Sequence, residues 1–214
     1  MGKLTLLDTY LRNRYPVAVY GTLKLGFNAN REFLLNPRNV FIGFGTTADD
    51  YILTDVGFPY LVDVSPCGNG ELKDYKRPVE VELYAVDITT LLELDLYEGY
   101  PEHYDRKRVK VNLLIPTPKG YLKLLPFPEE VWIYLTYPKG NDCSPSSLEE
   151  QFGTIISHKK VEIVEVLETP EGTIKPLTYT YWGISNIKRF LLSEEGRRTL
   201  ISILREVPMN ALFL

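Results

Sequence analysis

Apolar and polar positions alternate most clearly between residues 79 and 86. There the chain reads Val-Glu-Val-Glu-Leu-Tyr-Ala-Val, a period of two that predicts a strand. Shorter β-prone runs bounded by Gly, Pro, Asn or Asp predict further strands at 17–20, 40–47, 51–54, 60–64, 109–114, 121–125 and 131–137. Gly43 and Gly45 within 40–47 predict a bulge or close packing. Helical spacing predicts a helix over 4–14, with Leu4, Leu7 and Leu11 in phase and Pro16 as its stop. A second covers 28–35, closed by Asn36-Pro37. A third spans 88–98, with Asp87 as N-cap and Gly99 and Pro101 as stop signals. Residues 65–77 read as a polar loop, and 138–147 as the most linker-like stretch. Beyond it, 161–167 and 179–182 predict strands, and Ser193 caps a last helix to 204, with Glu194 and Glu195 at its positive end.

The third helix carries an anomaly. At about 100° per residue, Ile88, Leu91, Leu92, Leu94 and Leu96 share a broad apolar arc, opposite Thr89, Thr90, Glu93 and Tyr97. Asp95 and Glu98 fall inside that arc. A carboxylate on a core-facing side is costly unless it is partnered or neutral. Burial raises its pKa, and the negative end of the helix dipole acts in the same direction. Glu98 is therefore a candidate general acid/base. The competing reading is a helix-end Glu that turns to solvent or pairs with Arg106 or Arg108. Asp95 is expected to be structural, hydrogen-bonding a nearby loop.

A second candidate is the stretch from Val17 to Gly26, a buried strand running into a Gly-containing loop. Gly21 can take positive φ and lets another molecule approach the backbone. Successive N–H groups in such a loop can cradle an anion, although a strand followed by Gly-Thr also serves as an ordinary turn.

Composition narrows the class. The chain has 214 residues, 44% hydrophobic and 24% charged, which suits one sizeable domain or a domain with an extension. A net charge of −4 without charge blocks offers nothing for nucleic acid. No apolar run approaches the roughly 20 residues that span a bilayer, and residues 1–15 lack the apolar core of a signal peptide. The 15 Tyr and 15 Pro suit a β-rich fold with many turns. Cys67 and Cys143 lie in loop-like surroundings and read as plain thiols, which points to a reducing cytoplasm. His103 reads as a surface turn residue, with a place lining a pocket beside Glu98 as the alternative. His103 and His158 are far apart with no ligand cluster, so neither metal nor cofactor is expected.

Six ordered stretches then share a resemblance. They are Val19-Tyr20-Gly21-Thr22-Leu23-Lys24, Gly57-Phe58-Pro59-Tyr60-Leu61-Val62, Glu82-Leu83-Tyr84-Ala85-Val86, Leu94 to Pro101, Tyr104-Asp105-Arg106 and Val131-Trp132-Ile133-Tyr134. Over about residues 16–137 the chain resembles the gamma-glutamylcyclotransferase-like family, in its gamma-glutamylamine cyclotransferase branch. The resemblance implies an α+β fold: a small, closed, mixed β-barrel flanked by short helices. Residues 1–140 are expected to form this domain, and 141–214 a C-terminal α/β extension packing on it. That extension contains Tyr179, Tyr181, Trp182, Lys188 and Arg189, which read as ordinary covering residues or as a partner surface. The resemblance further implies that Tyr20, Gly21, Thr22 and Leu23 hold the glutamyl end of a substrate, that Tyr60 and Tyr104 are further substrate-binding residues, and that Glu98 is the catalytic acid/base. The expected reaction is intramolecular cyclisation of a γ-glutamyl amine to 5-oxoproline and a free amine. The alternatives are a non-catalytic binder of a small anionic metabolite in the same pocket, or an interaction module.

Overall fold

The computed structural model describes residues 13–157, except 26, 69, 117–121 and 141. The expected helix at 4–14 falls almost wholly outside the described residues. So do the strands at 161–167 and 179–182, the helix at 193–204, His158, and the aromatic and basic residues beyond 157.

Among the described residues ten strands form two sheets. They are β1 (Tyr15–Val19), β2 (Val40–Thr47), β3 (Ile52–Asp55), β4 (Pro59–Val62), β5 (Glu80–Val86), β6 (Asp105–Val109), β7 (Val111–Pro116), β8 (Leu122–Pro126), β9 (Val131–Leu135) and β10 (Thr154–Ile155). The larger sheet has the order β6-β9-β1-β5-β2-β7-β8, and β10-β3-β4 form the smaller. The β1–β9 pairing is parallel while its neighbours are antiparallel, so the sheet is mixed. It curls into a half-barrel. This is the mixed, barrel-type α+β fold with short helices that the resemblance implied, and among the described residues it is open between the edge strands β6 and β8.

Strand β5 sits at the centre, and all seven of its residues are buried. Its alternation divides two cores. Val81, Leu83 and Ala85 pack with Leu53, Leu61, Ile133 and Leu135. Tyr84 and Val86 pack on the other side with Val17, Val19 and Leu91. Glu80 and Glu82 share that second side and are also buried. The bulge expected in β2 falls between Phe41 and Gly43. At Gly45 a side chain would drive into the Asn112 backbone carbonyl.

Helix α1 (Ile88–Glu98) has the predicted caps: Asp87 accepts from Thr90 N, and Gly99 is left-handed with φ 65°. Its buried face is turned from the one expected. Thr90, Leu91 and Leu94 are buried, whereas Ile88, Leu92 and Leu96 are 49%, 55% and 84% exposed. The five apolar positions span a wider arc than the sheet can cover. The face that docks runs through Leu91 and Leu94, and Glu98 projects between those two.

Three further expectations are corrected. The strand predicted at 109–114 is two strands, β6 and β7, broken at Lys110 and paired at opposite ends of the sheet. Charges in β6 hid it from the pattern, but each cation has a partner. Arg106 binds Asp95 (2.7 Å), Lys107 binds Asp63 (2.6 Å), and Arg108 stacks on Trp132. Part of the linker-like stretch is helical: α2 (Pro145–Phe152) starts on Ser144, whose side chain accepts from Ser147 N, and buries Leu148 and Phe152. Cys67 and Cys143 are not free thiols. They form a disulfide across 76 residues, with Cα atoms 5.7 Å apart, because both flank the core built on Ile52, Val62 and Leu148. The argument for a reducing compartment is thereby withdrawn. Among the described residues no helix is long and apolar enough to cross a membrane.

Candidate active site

Strand β1 delivers the Gly loop to the mouth of a cavity of about 170 Å³. Lys24 N donates to Gly21 O at 3.0 Å, which closes the turn. Glycine is required at 21 by close approach and not by positive φ. A Cβ there would lie 2.8 Å from Pro59 Cγ at the start of β4. Among the described residues the N–H groups of Thr22 and Leu23 have no hydrogen-bond acceptor. A strand end that leaves two donors beside a cavity suits an anionic group.

The opposite wall is the end of α1, with Glu98 lining the cavity alongside Tyr97. Glu98 is half-buried and lines the cavity. Burial alone pushes its carboxyl up to about 7. Among the described residues it makes no ion pair. Arg106, one expected partner, is held by Asp95, whose Oδ1 also accepts from the Tyr134 hydroxyl at 2.7 Å. Asp95 is thus structural, as expected, although its partners lie on strands β6 and β9 and not on a loop. The other expected partner, Arg108, donates to Glu130 O and stacks on Trp132.

Tyrosines complete the wall. Tyr20 is buried, and its hydroxyl accepts from Leu61 N. Burial raises the Tyr20 pKa, and the nearby Tyr104 and Glu98 add to that. Tyr104 donates to Pro59 O at 3.4 Å, and its pKa is raised by burial first and by Glu98 second. Both hydroxyls therefore stay protonated beside the carboxyl. Thr22 Oγ1 and the Tyr97 hydroxyl share a hydrogen bond at 3.2 Å that ties the loop to α1.

Of the residues singled out from the chain, Glu98, Tyr20, Gly21, Thr22, Leu23 and Tyr104 come together around this one cavity. Tyr60 stands behind it. Its hydroxyl is 3.1 Å from His103 Nε2, and its ring packs against Tyr104 with centroids 5.2 Å apart. His103 is an exposed turn residue that also lines the cavity, the alternative open from the sequence. The tight turn after Gly99, closed by His103 N donating to Gly99 O, folds it back over the pocket. Phe58, Pro59, Tyr97 and Tyr134 also line the cavity and were not anticipated as site residues. Their presence in the same ordered stretches as Tyr60, Glu98 and Trp132 was the available signal.

The half-barrel thus brings a Gly loop and a carboxyl raised by burial to one small cavity. The family profile described as "Gamma-glutamyl cyclotransferase, AIG2-like" matches residues 17–152. The chain belongs to that family, and its enzyme class is gamma-glutamylcyclotransferase-like. A protein of Methanocaldococcus jannaschii with the provisional name gamma-glutamylcyclotransferase is 32% identical over 123 residues, covering 58% of this chain and 84% of its own. The Danio rerio gamma-glutamylaminecyclotransferase C is 34% identical over 106 residues, 47% of this chain and 64% of its own. The crystal structure of a mouse AIG2-like protein is similar with a TM-score of 0.46 and 25% identity, covering 64% of this chain and 83% of that one.

Proposed function

We propose that the chain is an intramolecular cyclotransferase that releases 5-oxoproline and a free amine from a small γ-glutamyl amine. The observation that carries this reading is Glu98: a carboxyl with no ion-pair partner among the described residues, pushed up to about 7, lining the same cavity as the Gly21–Leu23 loop. The substrate contains its own nucleophile, the α-amine, and the enzyme's first task is to hold the folded-back conformer. The N–H groups of Thr22 and Leu23 bind the α-carboxylate or the oxyanion that develops on the γ-carbonyl. Glu98, as carboxylate, takes a proton from the α-ammonium. The freed amine attacks the γ-carbonyl carbon, forming the ring C–N bond. Glu98 then protonates the departing nitrogen as the original amide C–N bond breaks, and, a carboxylate again, takes the second proton from the ring nitrogen and passes it to the released amine, which leaves as its ammonium. Tyr20 and Tyr104 keep their protons and orient the carboxyl and the glutamyl chain, while Tyr60 braces Tyr104 and His103. The reaction needs no metal or cofactor. The residues of the site all lie within the expected 1–140 domain.

The test is 5-oxoproline release from a panel of γ-glutamyl amines and dipeptides by wild type and Glu98→Gln. Turnover by wild type that drops at least about 10²-fold in the variant supports the reading. Absence of turnover on every substrate would replace it with a non-catalytic metabolite-binding pocket.

A further inference from the structure

Behind the Gly loop, on the side away from the cavity, lies a buried polar cluster that the proposed reaction does not use. Asn30, from the short π-helical turn Asn30–Leu34, is fully buried, as are Lys24 and Glu82. Asn30 Nδ2 donates to Leu23 O at 2.6 Å and to the Tyr84 hydroxyl at 2.9 Å. That hydroxyl donates in turn to Glu82 Oε2 at 3.0 Å, and the same oxygen accepts from Leu25 N at 2.8 Å. The bonds therefore run from the Leu23 carbonyl through Asn30, Tyr84 and Glu82 back to the Leu25 amide. Between those two anchors, Lys24 Nζ reaches Glu80 Oε1 at 2.9 Å.

The chemistry of the cluster is costly for a fold alone. Two carboxyls and an ammonium are placed out of water where apolar residues would pack at least as well. Among the described residues, Asn30 Oδ1, Glu80 Oε2 and Glu82 Oε1 have no hydrogen-bond partner. Buried side-chain acceptors without partners are uncommon, and each costs free energy. What the cluster holds is the backbone on either side of Lys24, immediately after the two cavity-lining residues whose N–H groups have no acceptor among the described residues. We propose that Asn30, Glu82 and Tyr84 are positioning residues for the substrate loop, aiming the N–H groups of Thr22 and Leu23 at the ligand by fixing the backbone of Leu23 and Leu25. The inference rests on the reading that this loop binds the glutamyl end. Burial also pushes the Glu82 carboxyl up to about 7 against the pull of Lys24, the Leu25 amide and the Tyr84 hydroxyl, with Glu80 raising it further.

The full chain is tested in three variants. Tyr84→Phe removes one hydroxyl and keeps the ring. Glu82→Gln keeps an oxygen for Leu25 N and the Tyr84 hydroxyl and serves as the conservative rescue. Leu72→Ala, in the separate core beside α2, is a control for lost stability. Two readouts are taken: backbone 15N order parameters of residues 22–25 without ligand, and kcat and KM for 5-oxoproline release. In Tyr84→Phe the loop order parameters are expected to fall from about 0.85 toward 0.6. KM should rise about tenfold with kcat less affected, as for a lost ground-state contact. Glu82→Gln should stay within about threefold of wild-type KM, and Leu72→Ala should lower the melting temperature without moving KM. A loop in Tyr84→Phe as ordered as in wild type overturns the proposal. So does a KM that follows melting temperature across all three variants. If wild type releases no 5-oxoproline, the cyclotransferase reading falls, and the order parameters alone decide whether the cluster positions the loop.

Discussion

Replacing Glu98 with Gln is expected to make the protein both more stable and less active at pH 8. Burial lifts the carboxyl from its ordinary value of 4.5 to about 7. At 1.36 kcal/mol per pKa unit, keeping it ionised in the folded state costs about 3 kcal/mol. The sign follows from the direction of the shift. The folded pKa lies above the unfolded one, so the folded state binds the extra proton. The associated stability is fully present below about pH 4.5 and is lost as pH rises through about 7. Gln has the shape of the protonated acid and never ionises. Glu98→Gln should therefore match wild type near pH 4.5 and exceed it at pH 8 by up to about 3 kcal/mol. That corresponds to about 5–10 °C in melting temperature for a chain of this size. Urea unfolding of both proteins at the two pH values, beside 5-oxoproline release at pH 8, is the assay. A stability difference that does not change with pH would refute the burial argument. A wild type that gained on Gln as pH rose would refute it as well, since Glu98 would then be an ordinary ion-paired or solvated carboxylate.

The pH profile of kcat/KM should rise through about 7 as Glu98 ionises; this limb should vanish in Glu98→Gln and survive in Glu82→Gln, whose carboxyl is also raised to about 7. Gly21→Ala places a methyl 2.8 Å from Pro59 Cγ. It should displace the loop and lower kcat/KM at least about tenfold, with circular dichroism unchanged. Cys67→Ser removes a crosslink across 76 residues, and urea unfolding should show a loss of about 2–4 kcal/mol, mirrored in wild type treated with dithiothreitol.

Much of the local structure was legible in the chain because it rests on short-range chemistry. Asp87 and Gly99 bound α1 through capping geometry that depends on a few adjacent residues. The eight residues of β2, including the irregularity at its glycines, follow from β-propensity and punctuation. Glu98 stood out because a carboxylate beside leucines is anomalous wherever the helix docks, and the Gly loop because a strand end with small residues leaves donors unpaired.

The remainder depended on what packs against what. Periodicity sets the angular spacing of side chains around α1 but not the rotation of the helix about its axis. The sheet made that choice, burying Thr90 and leaving Leu96 in solvent. The charged run at 106–108 became a strand because Asp95, Asp63 and Trp132 were waiting on other elements. His103 joined the pocket through one tight turn, and Cys67 met Cys143 through a shared core 76 residues apart in sequence. The glutamates of β5 were visible as the polar half of an alternation. Only the fold, with Asn30, Tyr84 and Leu25 closing around Glu82, turned that half inward. Spacing along a chain records which residues can share a face. Which faces meet is decided by the long-range burial that brings distant segments together.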